Sequence, residues 1–171
     1  IGLLIIQSVR HEYEERYTFA ELSKEEETPD YITSRIDVNN KCFLAPENMT
    51  EAIKSYCNNN DLIIPDTAGE IAAVVYKSLA DSYADTVMQI EKNLDITYDA
   101  IYVIGGGANA GYLNQLTADS TGKTVVAGPA EATAIGNIMA QMIADSVFKN
   151  LKEARACVRD SFDIKRFEQK R

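Results

Sequence analysis

The stretch Ile101-Tyr102-Val103-Ile104-Gly105-Gly106-Gly107-Ala108-Asn109-Ala110-Gly111 constrains this chain most. Its first four residues are apolar and mostly β-branched or aromatic, the pattern of a short buried strand. Three consecutive glycines break that strand. Tyr112-Leu113-Asn114-Gln115-Leu116-Thr117-Ala118-Asp119 then takes helical spacing, with Tyr112, Leu113 and Leu116 on one side. Glycine has no Cβ, so it permits φ > 0 and lets a ligand lie against the backbone. The first amides of the helix are unpaired and partly positive, which suits a phosphate or a polar ribose edge. A tight turn without a ligand would use the same residues. The carboxyl end of a strand is nevertheless where open α/β sheets gather their ligands.

Two phosphate-binding devices can be tested on this stretch. Gly105, Gly107 and Ala110 satisfy the spacing of a dinucleotide fingerprint, which also needs an acid at the end of the next strand to hold the ribose. That strand, Thr124-Val125-Val126-Ala127, ends in Gly128-Pro129, and Glu131 already belongs to the following helix. Gly122-Lys123-Thr124 carries the closing letters of a P-loop, but no glycine stands five residues earlier, and it precedes a strand instead of opening a helix. Both devices fail.

With 171 residues, 46% hydrophobic and 25% charged, the chain suits one globular α/β domain. Its net charge of −9, without a basic cluster, offers no electrostatic grip on nucleic acid. No apolar run is long enough to span a bilayer, and no signal-peptide pattern is present. Cys42, Cys57 and Cys157 lack paired spacing and read as buried thiols of a reducing compartment, not as a disulfide framework or a metal site. His11, the single histidine, sits among Glu12, Glu14, Glu15 and Arg16 and reads as a surface helix residue. The chain begins at Ile1 inside an apolar helical pattern, with neither methionine nor cap, so it is expected to be a piece of a longer protein.

Along the chain, Leu3, Ile6, Val9 and Tyr13 predict a helix from Gly2 to about Tyr17. A shorter helix is expected from Phe19, capped by Thr18 and ended by Glu25-Glu26-Glu27-Thr28-Pro29. Arg35 to Val38 suits a short extended segment, and Thr50 to Asn58 a helix. Thr67-Ala68-Gly69-Glu70 is a capping box. Behind it Ile71, Val74, Val75, Leu79, Tyr83, Val87, Ile90 and Leu94 define one face of a long helix expected to pack along the sheet. Strands 101–104 and 124–127 are expected to be neighbours. Gly128-Pro129-Ala130-Glu131 opens another helix, with Pro129 suited to its first turn. Ala132, Ala134, Gly136 and Ala140 give that helix a flat side, for a close-packed neighbour or a ligand. A last amphipathic helix with Leu151, Ala154, Val158 and Phe162 is expected as outer cover.

The strings Val-Ile-Gly-Gly-Gly-Ala-Asn-Ala (103–110) and Val-Val-Ala-Gly-Pro-Ala-Glu-Ala-Thr-Ala-Ile-Gly-Asn (125–137) together resemble the C-terminal, nucleotide-binding half of the FGGY carbohydrate kinases, of the actin-like ATPase superfamily. Gly2–Gln7, Arg35–Asp37, Phe43–Met49 and Pro65–Ile71 stand in the order of the branch acting on L-rhamnulose, and the resemblance covers nearly the whole chain. It implies an actin-like (ribonuclease H-like), helix-rich α/β fold, with 1–171 as one C-terminal domain and the sugar-binding domain absent. It also implies binding of ATP with Mg2+ in a cytoplasmic enzyme that phosphorylates L-rhamnulose to L-rhamnulose 1-phosphate. Gln7 and Gly105 to Gly107 are the expected nucleotide contacts, and Asn109 is expected to face the purine. A side chain at Gly106 is expected to meet the nucleotide and to demand a forbidden φ.

By the same resemblance, the phosphate loop, the sugar contacts and the catalytic aspartate lie upstream of residue 1. The piece alone should therefore be inactive. Asp37, Asp66 and Asp119 are bases by residue type only and read as turn, cap-flanking and surface residues. A non-catalytic ATP-sensing or scaffold domain of the same superfamily would present the same residues. A dehydrogenase cofactor domain would need the missing ribose acid.

Overall fold

The computed structural model describes residues 2–13, 21 and 31–170. Helix α1 (Gly2–Glu12) buries Ile5, Ile6 and Val9, the apolar stripe of its sequence, and leaves His11 exposed. The expected extension to Tyr17, the helix from Phe19 and the acidic run 25–29 lie outside the described residues, apart from Tyr13 and a helical Glu21.

Residues 32–38 are extended and alternate in burial: Ile32, Ser34, Ile36 and Val38 point in, Thr33, Arg35 and Asp37 out. Period-two burial is strand-like, yet among the described residues this segment joins no sheet. It lies instead on a long helix, α3 (Ala68–Leu94), where the Ile36 amide donates to Ser78 Oγ (2.9 Å) and Lys77 Nζ donates to the Ile32 carbonyl (3.1 Å). Helix α2 (Met49–Asn59) precedes it, N-capped by Asn48, and the Glu12 carboxylate of α1 accepts from the Met49 and Thr50 amides. A negative group at these orphan amides matches the positive end of the helix dipole.

The capping box is present: Thr67 Oγ1 accepts from the Glu70 amide at 3.2 Å, and Glu70 Oε2 accepts from the Thr67 and Asp66 amides. Tyr31 donates to the other carboxylate oxygen. That bond and the Asp66 and Thr67 amides hold Glu70 below the usual carboxylate range. From Ile71 to Ala80 almost every residue of α3 is buried, and Tyr76 is pushed up to about 12 by desolvation.

Three strands form one sheet among the described residues: β1 (Ala100–Val103), β2 (Thr124–Ala127) and β3 (Lys165–Phe167), in that order. β1 and β2 run parallel, joined by helix α4 (Gly111–Thr121) and registered Ala100 to Thr124 through Val103 to Ala127. β3 is antiparallel to β2, with Val125 opposite Phe167, and sequence reading did not anticipate it. Helices α5 (Ala132–Ala144) and α6 (Leu151–Ser161) lie between β2 and β3 in the chain.

Several expectations need correction. α3 packs chiefly on α4, not along the sheet, and beyond Ala80 its stripe surfaces: Ile90 and Leu94 are exposed. β1 is not a buried strand. It stands at the sheet edge, so Tyr102 is 74% and Ile104 62% exposed. α6 buries Ala154 alone and packs on α5, leaving Leu151 and Phe162 exposed, so it is not an outer cover. Ala134, Gly136 and Ala140 on the flat side of α5 also face outward. Cys42 is exposed; only Cys57 is fully buried, and all three thiols are free.

Candidate nucleotide site

The parallel pair β1 and β2 ends, at its carboxyl side, in two loops that are tied together. The Gly128 amide donates to the Val103 carbonyl (2.9 Å), and the Gly105 amide donates to the Pro129 carbonyl (3.3 Å). These bonds carry the strand pairing one step past the sheet. They bring the glycine triplet and the 128–131 turn side by side. Pro129 follows a cis peptide bond and lies outside α5, which begins at Ala132 with Glu131 as its cap residue; the expected proline in its first helical turn is therefore incorrect.

The triplet forms one short 3-10 turn, Gly105–Asn109, directly ahead of α4. Its three glycines differ in what they require. Gly105 has φ +75°, in the left-handed region, so this position needs glycine. At Gly107 an added Cβ would lie 3.4 Å from Val103 Cγ1 and 3.8 Å from Leu3 Cδ1, so this glycine backs onto the fold. At Gly106 an added Cβ would meet nothing within 4 Å. The expected forbidden φ at Gly106 is thus incorrect, since the constraint falls on Gly105. Open space at Gly106 is what a surface approached by a ligand offers.

The opposite loop is built more tightly. Gly128 has φ +120°, and a Cβ there would sit 3.0 Å from the Asp163 carbonyl oxygen and 3.6 Å from Ile164 Cα. The residues leading into β3 therefore back the 128–131 turn. Asn114, near the start of α4 and only 3% exposed, donates through Nδ2 to the carbonyls of Gly107 (3.2 Å) and Ala108 (3.3 Å). The Gly107 carbonyl also accepts from the Ala110 amide at 3.1 Å. Sequence reading missed Asn114, because it placed Tyr112, Leu113 and Leu116 on the inner face. The buried set is Leu113, Asn114, Thr117 and Ala118, and a polar residue within that set was the available signal.

Asn109 closes the 3-10 turn and is exposed. Gln7 is exposed on α1, one turn beyond Leu3 and on the same helix face, while Leu3 itself reaches Gly107. Gly105, Gly106, Gly107 and Asn109 thus share one turn, whereas Gln7 lies outside it, on α1. Lys123 plays no part there. It precedes β2, at the far end of the sheet, where Nζ donates to Glu91 Oε1 (2.7 Å) and the Tyr98 carbonyl (2.8 Å).

Each of the three aspartates named above has local partners. Asp37 Oδ1 accepts from the Asn39 amide, Asp66 pairs with Lys54, and Asp119 Oδ1 accepts from Gln115 and the Lys170 amide. Among the described residues no three His, Cys, Asp or Glu side chains converge on a point that could hold a metal ion. No described helix is long and apolar enough to cross a membrane.

Two parallel strand ends with a glycine-lined opening, in a helix-rich α/β frame, fit a C-terminal domain of the actin-like class. Residues 3–144 match the C-terminal domain of the FGGY family of carbohydrate kinases, and the chain belongs to that family. It is 44% identical to the rhamnulokinase of Bacillus subtilis (strain 168) over 170 residues, which is 99% of this chain and 35% of that protein. It is 43% identical to the rhamnulokinase of Oceanobacillus iheyensis over 164 residues (96% and 35%), and 44% to that of Halalkalibacterium halodurans over 167 (98% and 36%). The chain therefore spans about a third of the length of these relatives.

Proposed function

We propose that residues 1–171 are the nucleotide-binding half of a cytoplasmic ATP-dependent sugar kinase that phosphorylates L-rhamnulose at its 1-hydroxyl. The observation that carries this is the open backbone at Gly106, at the carboxyl ends of two parallel strands. A ligand can lie there against main chain without displacing a side chain. Gly105 to Gly107 would take the adenosine and first phosphates, with Gln7 and Asn109 at the rim. The sugar follows from the rhamnulokinases that this chain resembles along almost its whole length.

Phosphoryl transfer needs a carboxylate to take the hydroxyl proton, cations to bridge the phosphates, and both substrates in line. The residues here supply binding and orientation only. The base, the metal ligands and the sugar contacts belong to the remainder of the longer protein.

The test is Gly106→Val in the full-length enzyme. Because Gly106 needs no unusual φ and its Cβ direction is empty, the variant should fold with nearly unchanged stability. ATP affinity should fall at least tenfold, about 1.4 kcal/mol, while L-rhamnulose still binds. Unchanged ATP affinity would make the triplet a purely structural turn.

A further inference from the structure

We infer that Asn114 is a positioning residue for nucleotide binding, holding the glycine turn in the shape that keeps its Gly106 face open; this rests on the nucleotide lying at that turn. A run of glycines has little conformational preference of its own, so its shape must be imposed from outside. One end is held by the Gly105 amide on the Pro129 carbonyl. The other end is held by Asn114, whose single amide group reaches both the Gly107 and the Ala108 carbonyls. Those two oxygens are thereby turned toward α4; on the proposed reading the phosphate approaches from the Gly106 side.

Carbonyl oxygens on that side would repel a phosphate. The same clamp ties the turn to a helix whose neighbours Leu113, Thr117 and Ala118 are buried, so the turn inherits the rigidity of the core. Thr117, equally buried one turn further along, donates its hydroxyl to the Leu113 carbonyl of its own helix (2.7 Å) and, among the described residues, makes no hydrogen bond to the turn. It is a matched control for general loss of packing.

The experiment uses the full-length enzyme and compares Asn114→Leu, Asn114→Asp, Thr117→Val and Gly106→Val by KM for ATP, KM for L-rhamnulose, kcat and Tm. Leu keeps the branched outline of Asn without its donor but is bulkier, whereas Asp keeps size and shape with an acceptor in place of the donor and so separates lost donation from overpacking. Both should raise the KM for ATP at least tenfold, with the KM for the sugar within twofold of wild type. Thr117→Val should leave the KM for ATP unchanged at whatever Tm it shows. If Asn114→Leu melts below the assay temperature, ATP titration of Asn114→Asp in the cold gives the same comparison. A wild-type KM for ATP in either Asn114 variant overturns the inference, as does a parallel rise in both KM values shared with Thr117→Val. If Gly106→Val weakens ATP and the Asn114 variants do not, this inference alone falls. If none of them does, the nucleotide assignment falls with it.

Discussion

Gly128 and Gly106 are the same residue type under opposite constraints. Gly128→Ala puts a methyl 3.0 Å from the Asp163 carbonyl at φ +120°, where L residues are strained. It should cost about 1–3 kcal/mol, seen as a lower Tm in thermal unfolding. Gly106→Ala, with nothing within 4 Å, should melt within a degree or two of wild type. Equal shifts for the two would mean that the backbone relaxes freely at Gly128. The thiols separate in the same way. Cys42 is exposed, whereas Cys57 is fully buried and burial pushes its thiol up. In mass spectrometry after a brief maleimide pulse, Cys42 should be modified and Cys57 protected until unfolding, with no disulfide among the three.

At the scale of elements, the exposed end of α3 is anchored by charge, not by core. Glu91 Oε1 accepts from Lys123 Nζ and from the Tyr98 amide, both at 2.7 Å, tying the helix to the segments that flank β1 and β2. The Lys123 hydrogen bond and then the Tyr98 amide hold the Glu91 carboxyl below its ordinary value. A folded-state pKa below the unfolded one stabilises above the unfolded value, about 4.3 for glutamate. That stability is lost as pH falls through the lowered value. Glu91→Gln should therefore lower Tm at pH 7, and the difference from wild type should persist at pH 5 and close below pH 4. A Tm gap independent of pH would show that packing of the side chain matters, not its charge. The helix itself was readable from Thr67 and Glu70 and from its apolar stripe. Where the stripe stops being buried was not, because Ile90 and Leu94 look like Ile71 and Val74 until their neighbours are known.

For the whole molecule, the expectation is weak binding and no chemistry. Actin-like kinases enclose ATP between two domains, and closure excludes water and aligns the transferred group. On the proposed reading, the 171-residue chain would offer one wall of that site. It should bind ATP or ADP in the millimolar range, roughly −4 kcal/mol, with little dependence on Mg2+. Calorimetry with and without Mg2+, and a coupled assay with L-rhamnulose, are the measurements. Turnover above background would require one of Asp37, Asp66 or Asp119 to act as a base from its present turn or surface position. A groove of about 510 Å3 beside β1, lined by Tyr83, Val87, Ile101, Val103 and Leu113, remains open in this chain.

The sequence alone determined the parts whose physics is local. Strand 101–104, the glycine break, the helix after it, strand 124–127 and the capping box at Thr67 follow from propensity, periodicity and hydrogen-bonding chemistry within a few residues. The failure of the P-loop reading was also legible, since Lys123 stands before a strand. Tertiary structure alone decided what depends on distant partners. β3 has too short and polar a pattern, Lys165-Arg166-Phe167, to announce itself, and exists because β2 offers it an edge. The need for glycine at 105 and not at 106 arises from the φ imposed by the Pro129 carbonyl and the turn. The role of Asn114 appears only when α4 has folded back beneath Gly107, because a donor is recognised by its acceptors and those are set by the packing.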